Sequence, residues 1–560
     1  MLLKPYHYEL AHPRTSIQRC LLGIVGGCSA AFVIILFRLA IEAIQKIYLQ
    51  QVDYFTTLDP SIRFILPVCG TILIIVFAYI TRFKHYRMGI PYVIHRLKQR
   101  YGHIPLRSTI NQFFGGMIAL ASGFSVGREG PAVHLGAAGS SFLGEWLKLP
   151  YNSIRILAGC GVAAGISASF NTPFAAVIFV MEVVLREYKV HIFVPVMLAA
   201  ACGSILTRLV FGEDHEMAFL RFVTLDYWMY LYLVLLGIFL GAMASLFNKQ
   251  LMRVIQGFRP LGMASRLLLA GAITGGVGYV LPEAMGAGLS AIDVVIASPD
   301  NIQLLIAILL GKFFLTIVAI GLGVPGGIIG PIFGIGVLTG TIALLPMGFL
   351  LDDVGTYTSS FALLGMAGMM TAVLHAPLAA LSAVMELSSN PDVILPAMLV
   401  IVSAYVTSTQ LFGNSSIFIQ QLQYQKLSYK SSSVQIALQT TGVLSVMDAD
   451  YRLFKGSPDK AIRDCLEQSP TQLVVKGEDF EIGMQYSLVE WDTSLNPHQS
   501  TPLKFTNMEG VPAQATLAEV YEILQASRHG AVYIYNDVPD DIIGVISWHN
   551  LRSYLHKEYY

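Results

Sequence analysis

The sequence predicts an all-α membrane protein of many spans, built from two repeated halves and followed by a small α/β module. Three observations predict it. Of the 560 residues, 54% are hydrophobic and only 13% are charged, and the mean hydropathy is +0.60; a soluble domain carries nearer 25% charged residues. Within the apolar region a block of sequence recurs about 204 residues later, a sign of internal duplication. After Leu422 the long apolar runs stop and charge returns to normal density.

In chain order, residues 1–19 read as an uncleaved cytoplasmic tail, because Pro5 to Gln18 are polar and basic and no leader-cleavage pattern accompanies them. Residues 20–422 read as the membrane domain, with halves of about 20–215 and 226–422. Long apolar runs lie near 20–46, 61–81, 190–211, 228–247, 264–281, 302–322 and 393–412. Shorter stretches interrupted by glycine lie at 113–126, 131–146, 156–168 and 173–185. Spanning a hydrocarbon core of roughly 30 Å takes about 20 residues, so these read as broken helices, which at matching places in two halves point to a transport site. Residues 423–560 hold two helix-then-strand patterns, 459–467 before 471–475 and 516–526 before 531–535, with a linker from Pro497 to Pro502.

The duplication is read from Asn171-Thr-Pro-Phe-Ala-Ala-Val-Ile-Phe-Val-Met-Glu182 against His375-Ala-Pro-Leu-Ala-Ala-Leu-Ser-Ala-Val-Met-Glu386. Gly161 and Ala168 match Gly365 and Ala372 at the same offset. Nearly that offset also relates Gly127-Arg128-Glu129-Gly130-Pro131 to Gly327-Ile328-Ile329-Gly330-Pro331, where both charges are gone. A charge at membrane depth is expensive and marks a functional site. Glycines there let backbone N–H groups approach a ligand, and irregular backbone is tolerated where it lines a cavity. The two motifs therefore suggest an anion pathway with one carboxylate standing in it. The bland alternative is a helix-end pairing of Arg128 with Glu129.

Zero formal net charge gives no electrostatic case for nucleic acid. The six cysteines show no metal spacing, and five lie in apolar segments, favouring packed free thiols. No metal, cofactor or enzymatic activity is predicted.

These residues resemble the CLC family of chloride channels and anion/proton exchangers over about 20–422. Gly127 to Pro131 looks like the family's gating-glutamate motif. Gly327 to Pro331 looks like its Gly-x-Phe-x-Pro motif, and Arg87-Met88-Gly89-Ile90-Pro91 like its Gly-Ser-Gly-Ile-Pro motif; Gln112-Phe-Phe-Gly-Gly116 fits as well. The resemblance implies a homodimer of all-helical subunits in a lipid bilayer, each with two inverted repeats and its own pore. It implies Glu129 as the gate, and Met88, Gly89, Ile90, Pro91, Gly127, Arg128, Gly130, Gly327, Ile328, Ile329, Gly330 and Phe418 as the residues around the anion. Chloride is the implied transported ligand, with protons as the exchange partner. Helix N-termini bind anions without a full cation, and conduction needs binding weak enough to release.

Four departures bear on mechanism. Met88 replaces a serine of the family and resembles the fluoride/proton exchanger branch; a thioether cannot donate a hydrogen bond. Phe418 replaces the pore tyrosine and loses its hydroxyl. Val183 stands where exchangers often place a second glutamate, and Gln112 replaces a lysine common at its position. Glu182 and Glu386, repeated in both halves, read as braces between helices rather than proton carriers, and His85, His95 and His103 as loop or interface residues. The departures lean the reading toward passive or loosely coupled chloride flux, with obligate chloride/proton exchange as the alternative. Fluoride exchange and a nucleotide sensor with a vestigial pore rank below both.

The tail resembles a degenerate CBS pair, best at Asp541-Ile-Ile-Gly-Val-Ile-Ser-Trp-His-Asn550. That resemblance leaves room for an adenine nucleotide, with Asn550 in place of a ribose-binding aspartate, but favours a dimer-stabilising module. Compactness and short loops suggest a bacterial inner (plasma) membrane, with the C-terminal domain in the cytoplasm.

Overall fold

The computed structural model describes residues 4–83, 88–212, 221–297, 301–349, 355–427, 433–456, 458–469, 472–480, 483–491 and 503–559. Arg87, His85 and the linker between Pro497 and Pro502 lie outside them. The chain divides into two compact units: Cys20–Leu143 with Arg155–Tyr429, and Met1–Arg19 with Gly144–Ile154 and Lys430–Tyr560.

The larger unit is helical. Among the described residues ten helices are long and apolar enough to cross a membrane. Their burial sorts them. Pro60–Ile80 and Met263–Val280 expose most of their surface, whereas Tyr151–Phe170 and Gly355–Leu374 are almost wholly enclosed. The last two occupy equivalent places in the duplication. The sequence reading gave 156–168 as a short segment. The helix in fact starts at Tyr151, because the polar Asn152, Ser153 and Arg155 are helical and buried.

The repeated small residues explain how these inner helices pack. A Cβ on Gly161 would overlap the Gly136 carbonyl, and a Cβ on Gly165 would lie 2.6 Å from the Ala132 carbonyl oxygen. In the second half a Cβ on Gly336 would lie 2.7 Å from the Gly365 carbonyl oxygen. Backbones therefore touch, as at small-residue interfaces between membrane helices.

The halves are inverted. Gly127 and Gly327 form an antiparallel bridge, each N–H donating to the other's carbonyl at 2.7 and 2.5 Å. The Glu182 carboxylate accepts from the N–H groups of Leu378 and Ala379 at 3.2 and 2.7 Å. Glu386 accepts from those of Phe174 and Ala175 at 3.2 and 2.8 Å. Contacts in which residue i meets j′ and j meets i′ are the mark of a two-fold relation. These carboxylates serve as caps between the halves, where N-terminal N–H groups lack intrahelical partners.

The second unit holds two small sheets. In the first, β1 (Tyr451–Lys455) pairs parallel with β2 (Leu473–Phe480), and β3 (Gly483–Trp491) and β4 (Leu503–Asn507) continue it antiparallel. In the second, β5 (Glu509–Pro512) pairs parallel with β6 (Ala531–Tyr535), and β7 (Ile542–Ser547) adds antiparallel. Each parallel pair is joined through a helix, Asp459–Gln468 or Leu517–Leu524, as parallel pairing requires. Thr516 and Glu519 close a capping box on the latter. The Asn550 oxygen accepts from the Ser547 hydroxyl at 2.5 Å, so it is used within its own helix start.

Candidate functional site

Glycine-rich segments end in helices that start inside the larger unit, Glu129–Trp146 in the first half and Ile329–Leu344 in the second. A third, Gly89–Gln99, starts beside them. The first N–H groups of such a helix have no intrahelical acceptor, and the sequence motifs supply the bare backbone that lets a ligand approach.

Two cavities meet this region. The inner one, about 150 Å³, is lined by Met88, Gly89, Ile90, Pro91, Gln112, Gly130, Gly327, Ile328 and Phe418, among others. The outer one, about 80 Å³, is lined by Arg38, Glu42, Asp53, Arg128, Glu129, Gly330 and Phe333, among others. Gly130 and Gly327 line the first of these cavities, and Glu129 and Gly330 line the second.

Glu129 is 2% exposed. A Cβ on Gly127 or Gly327 would overlap its carboxylate, and one on Gly330 would lie 2.9 Å from Oε1. The carboxylate thus rests against the bare backbone of both repeats. It also borders an apolar void of about 50 Å³ lined by Ile166, Phe170, Phe179, Ile329, Phe333 and Met370. The Arg128 guanidinium lies 5.1 Å from the Phe170 ring centroid, a cation–π distance.

The structure brings twelve of the predicted residues to these cavities, and Gly127 to the bridge between them. One carries a different role. The Gly89 N–H donates to Gln112 Oε1 at 3.0 Å, so that donor is spent on a side chain. Sequence reasoning treated Gln112 only as a lost lysine. It also assigned nothing to Asp53 and Lys312. Asp53 accepts from the N–H groups of Ala287 and Gly288 at 3.0 and 3.3 Å. Lys312, fully buried, donates to the carbonyls of Met285 and Gly286 at 3.1 and 2.7 Å. Together they fix the loop that borders the outer cavity. A lone lysine in an apolar helix was the available signal.

The model of the voltage-gated chloride channel family matches residues 69–409. The chain belongs to the CLC family. Its membrane unit is a CLC anion transporter, and the inverted halves and bridged glycine motifs are the CLC fold. The chain is 30% identical over 327 residues to a ClcB-like chloride channel protein of Ralstonia nicotianae, covering 57% of this chain and 76% of that one. It is also 30% identical over 323 residues to the H(+)/Cl(-) exchange transporter ClcA of Vibrio parahaemolyticus, covering 56% and 68%. In fold it resembles a slow cyanobacterial Cl-/H+ antiporter, with TM-score 0.66 and 23% identity over 74% of this chain and 99% of that one. A eukaryotic CLC transporter matches with TM-score 0.60 and 18% identity, over 95% of this chain and 97% of that one.

Proposed function

We propose that the chain exchanges chloride for protons, with Glu129 as both outer gate and proton acceptor. The observation that carries this is the seat of the Glu129 carboxylate against Gly127, Gly327 and Gly330. An ionised carboxylate there stands where a permeating anion would pass and excludes it. Protonation removes the charge. A neutral acid tolerates the adjoining apolar void far better than an ion does, so it can leave the cradle to chloride. Each release of the gate then carries one proton with it.

The passive flux toward which Val183, Phe418 and Gln112 lean has less support. Relatives at 30% identity carry the name H(+)/Cl(-) exchange transporter. Loss of a second acid leaves water as a proton carrier, and the cradle around Glu129 is unaffected by it. Passive flux keeps one specific observation in its favour: Val183, in the helical turn Val180–Leu185, is 3% exposed and offers no group that takes a proton. Chloride is the proposed anion; Met88 at the inner cavity makes fluoride the competitor to test. The subunit is read as half of a homodimer in an inner membrane, its tail in the cytoplasm.

Reconstitution in liposomes separates the readings. An imposed chloride gradient is expected to drive protons uphill. Chloride flux with no proton movement would establish the passive reading, and no chloride flux at all would remove both. Suppression of chloride flux by fluoride would reassign the anion.

A further inference from the structure

The inner cavity holds an unusual set of donors. Three buried side-chain atoms on its lining, Gln112 Nε2, Tyr424 Oη and Arg266 Nε, have no hydrogen-bond partner among the described residues. Roughly 90% or more of buried polar groups are partnered, and an unmet donor costs about 1–3 kcal/mol. Three such donors belong to residues lining one space of about 150 Å³, where a mobile acceptor can meet them.

Gln112 decides what that acceptor meets. It is 1% exposed. The two ends of its amide are assigned by Gly89, because a backbone N–H can only donate and so must face the oxygen. The NH₂ group is left without a protein partner among the described residues, and Met88 and Phe418, which line the same cavity, cannot donate. No carboxylate lines this cavity among the described residues. The lining is therefore donor-rich, carries the single cation Arg266, and suits a small monovalent anion held loosely enough to leave. Arg266 and Tyr424 are partly exposed, and Gln112 is not, so the donors run from the mouth to the depth.

We propose that Gln112 is the side-chain donor to the bound anion, its amide N–H replacing the hydroxyls absent at Met88 and Phe418, with Tyr424 and Arg266 as donors nearer the mouth. This rests on the reading of the cavity as the chloride path. Gln112 would then do two jobs: its oxygen holds the Gly89 helix start, and its nitrogen contacts the halide.

The test is calorimetric titration of chloride onto the purified full chain. Gln112→Met keeps the size and loses the amide, and it is expected to weaken chloride about ten- to a hundredfold, the worth of a hydrogen bond to a charged ligand. Gln112→Lys retains a donor and is expected to bind chloride at least as tightly as the parent. Tyr424→Phe is expected to weaken it by a smaller factor. A folded Gln112→Met within about twofold of the parent overturns the proposal. If that variant does not fold, a lysine variant weaker than the parent, together with an unchanged Tyr424→Phe, overturns it as well. A parent protein that binds no chloride fails differently, because it removes the chloride path itself.

Discussion

In the proposed mechanism Glu129 is the gate, and its place makes a sharp expectation. Glu129→Gln keeps the shape of the side chain and removes the charge that holds it in the glycine cradle. Chloride efflux from liposomes should then lose its pH dependence, and coupled proton movement should vanish; efflux that still varies with pH would put the gate elsewhere. His134 gives a second test. It is fully buried, stacked at 5.8 Å on Tyr92, and neither ring nitrogen has a partner among the described residues. Two unmet polar atoms cost more than an apolar side chain of similar volume. His134→Leu should therefore raise stability in detergent melts by about 1 kcal/mol, and a loss of stability would mean that the ring nitrogens have a partner such as internal water. Glu129 was legible in the sequence because a charge in an apolar field stands out. Gln112 was not, because its role comes from a partner 23 residues away, and a departure from a family motif reports only what is lost.

At the scale of elements, the reciprocal caps carry the inverted architecture. Each of Glu182 and Glu386 takes two N–H groups at the N-terminus of a helix in the other half. A carboxylate there gains from both capping and the helix dipole. Glu182→Gln and Glu386→Gln should each lower stability by about 1–2 kcal/mol, read as a fall in melting temperature, with coupled proton transport retained. Selective loss of proton transport in Glu182→Gln, with melting unchanged, would instead make it a proton carrier. Gly161→Ala tests the backbone contact below: its Cβ would overlap the Gly136 carbonyl, so the helices must part. We expect at least the 1–3 kcal/mol of an overpacked core, seen as reduced yield of folded protein. The repeat of Val-Met-Glu in the sequence identified equivalent residues and pointed to bracing. It could not show that each equivalent reaches across to the other half, since an offset in sequence states likeness and not contact.

At the scale of the whole molecule, the second unit is assembled from pieces far apart in the chain. The sequence reading placed boundaries at residue 19 and residue 422, whereas contacts also draw Gly144–Ile154 into the unit that holds both chain ends. A segment that short has no hydropathy signature, and the bonds that place it span 141 to 389 residues, beyond any periodicity. Asn152 is its knot. The side chain is 1% exposed, and its amide nitrogen donates to the carbonyls of Leu10, Ala11 and Thr440 at 3.1–3.2 Å. Ser153 adds a bond to Leu10, and the Tyr151 N–H donates to the Gln514 carbonyl at 2.8 Å. Leu10 and Ala11 are fully buried, and the Gly442 N–H donates to the Ala11 carbonyl at 2.9 Å, so the N-terminal helix is tied into this unit. Asn152→Ala removes the donor and leaves buried carbonyls short of a partner, at about 1–3 kcal/mol for each group stranded. Local opening follows local stability, so the tail of the variant should be cut faster than that of the parent by a protease added at low dose, while the membrane unit survives intact. Equal rates of tail cleavage would show that Asn152 is not what ties these three segments together.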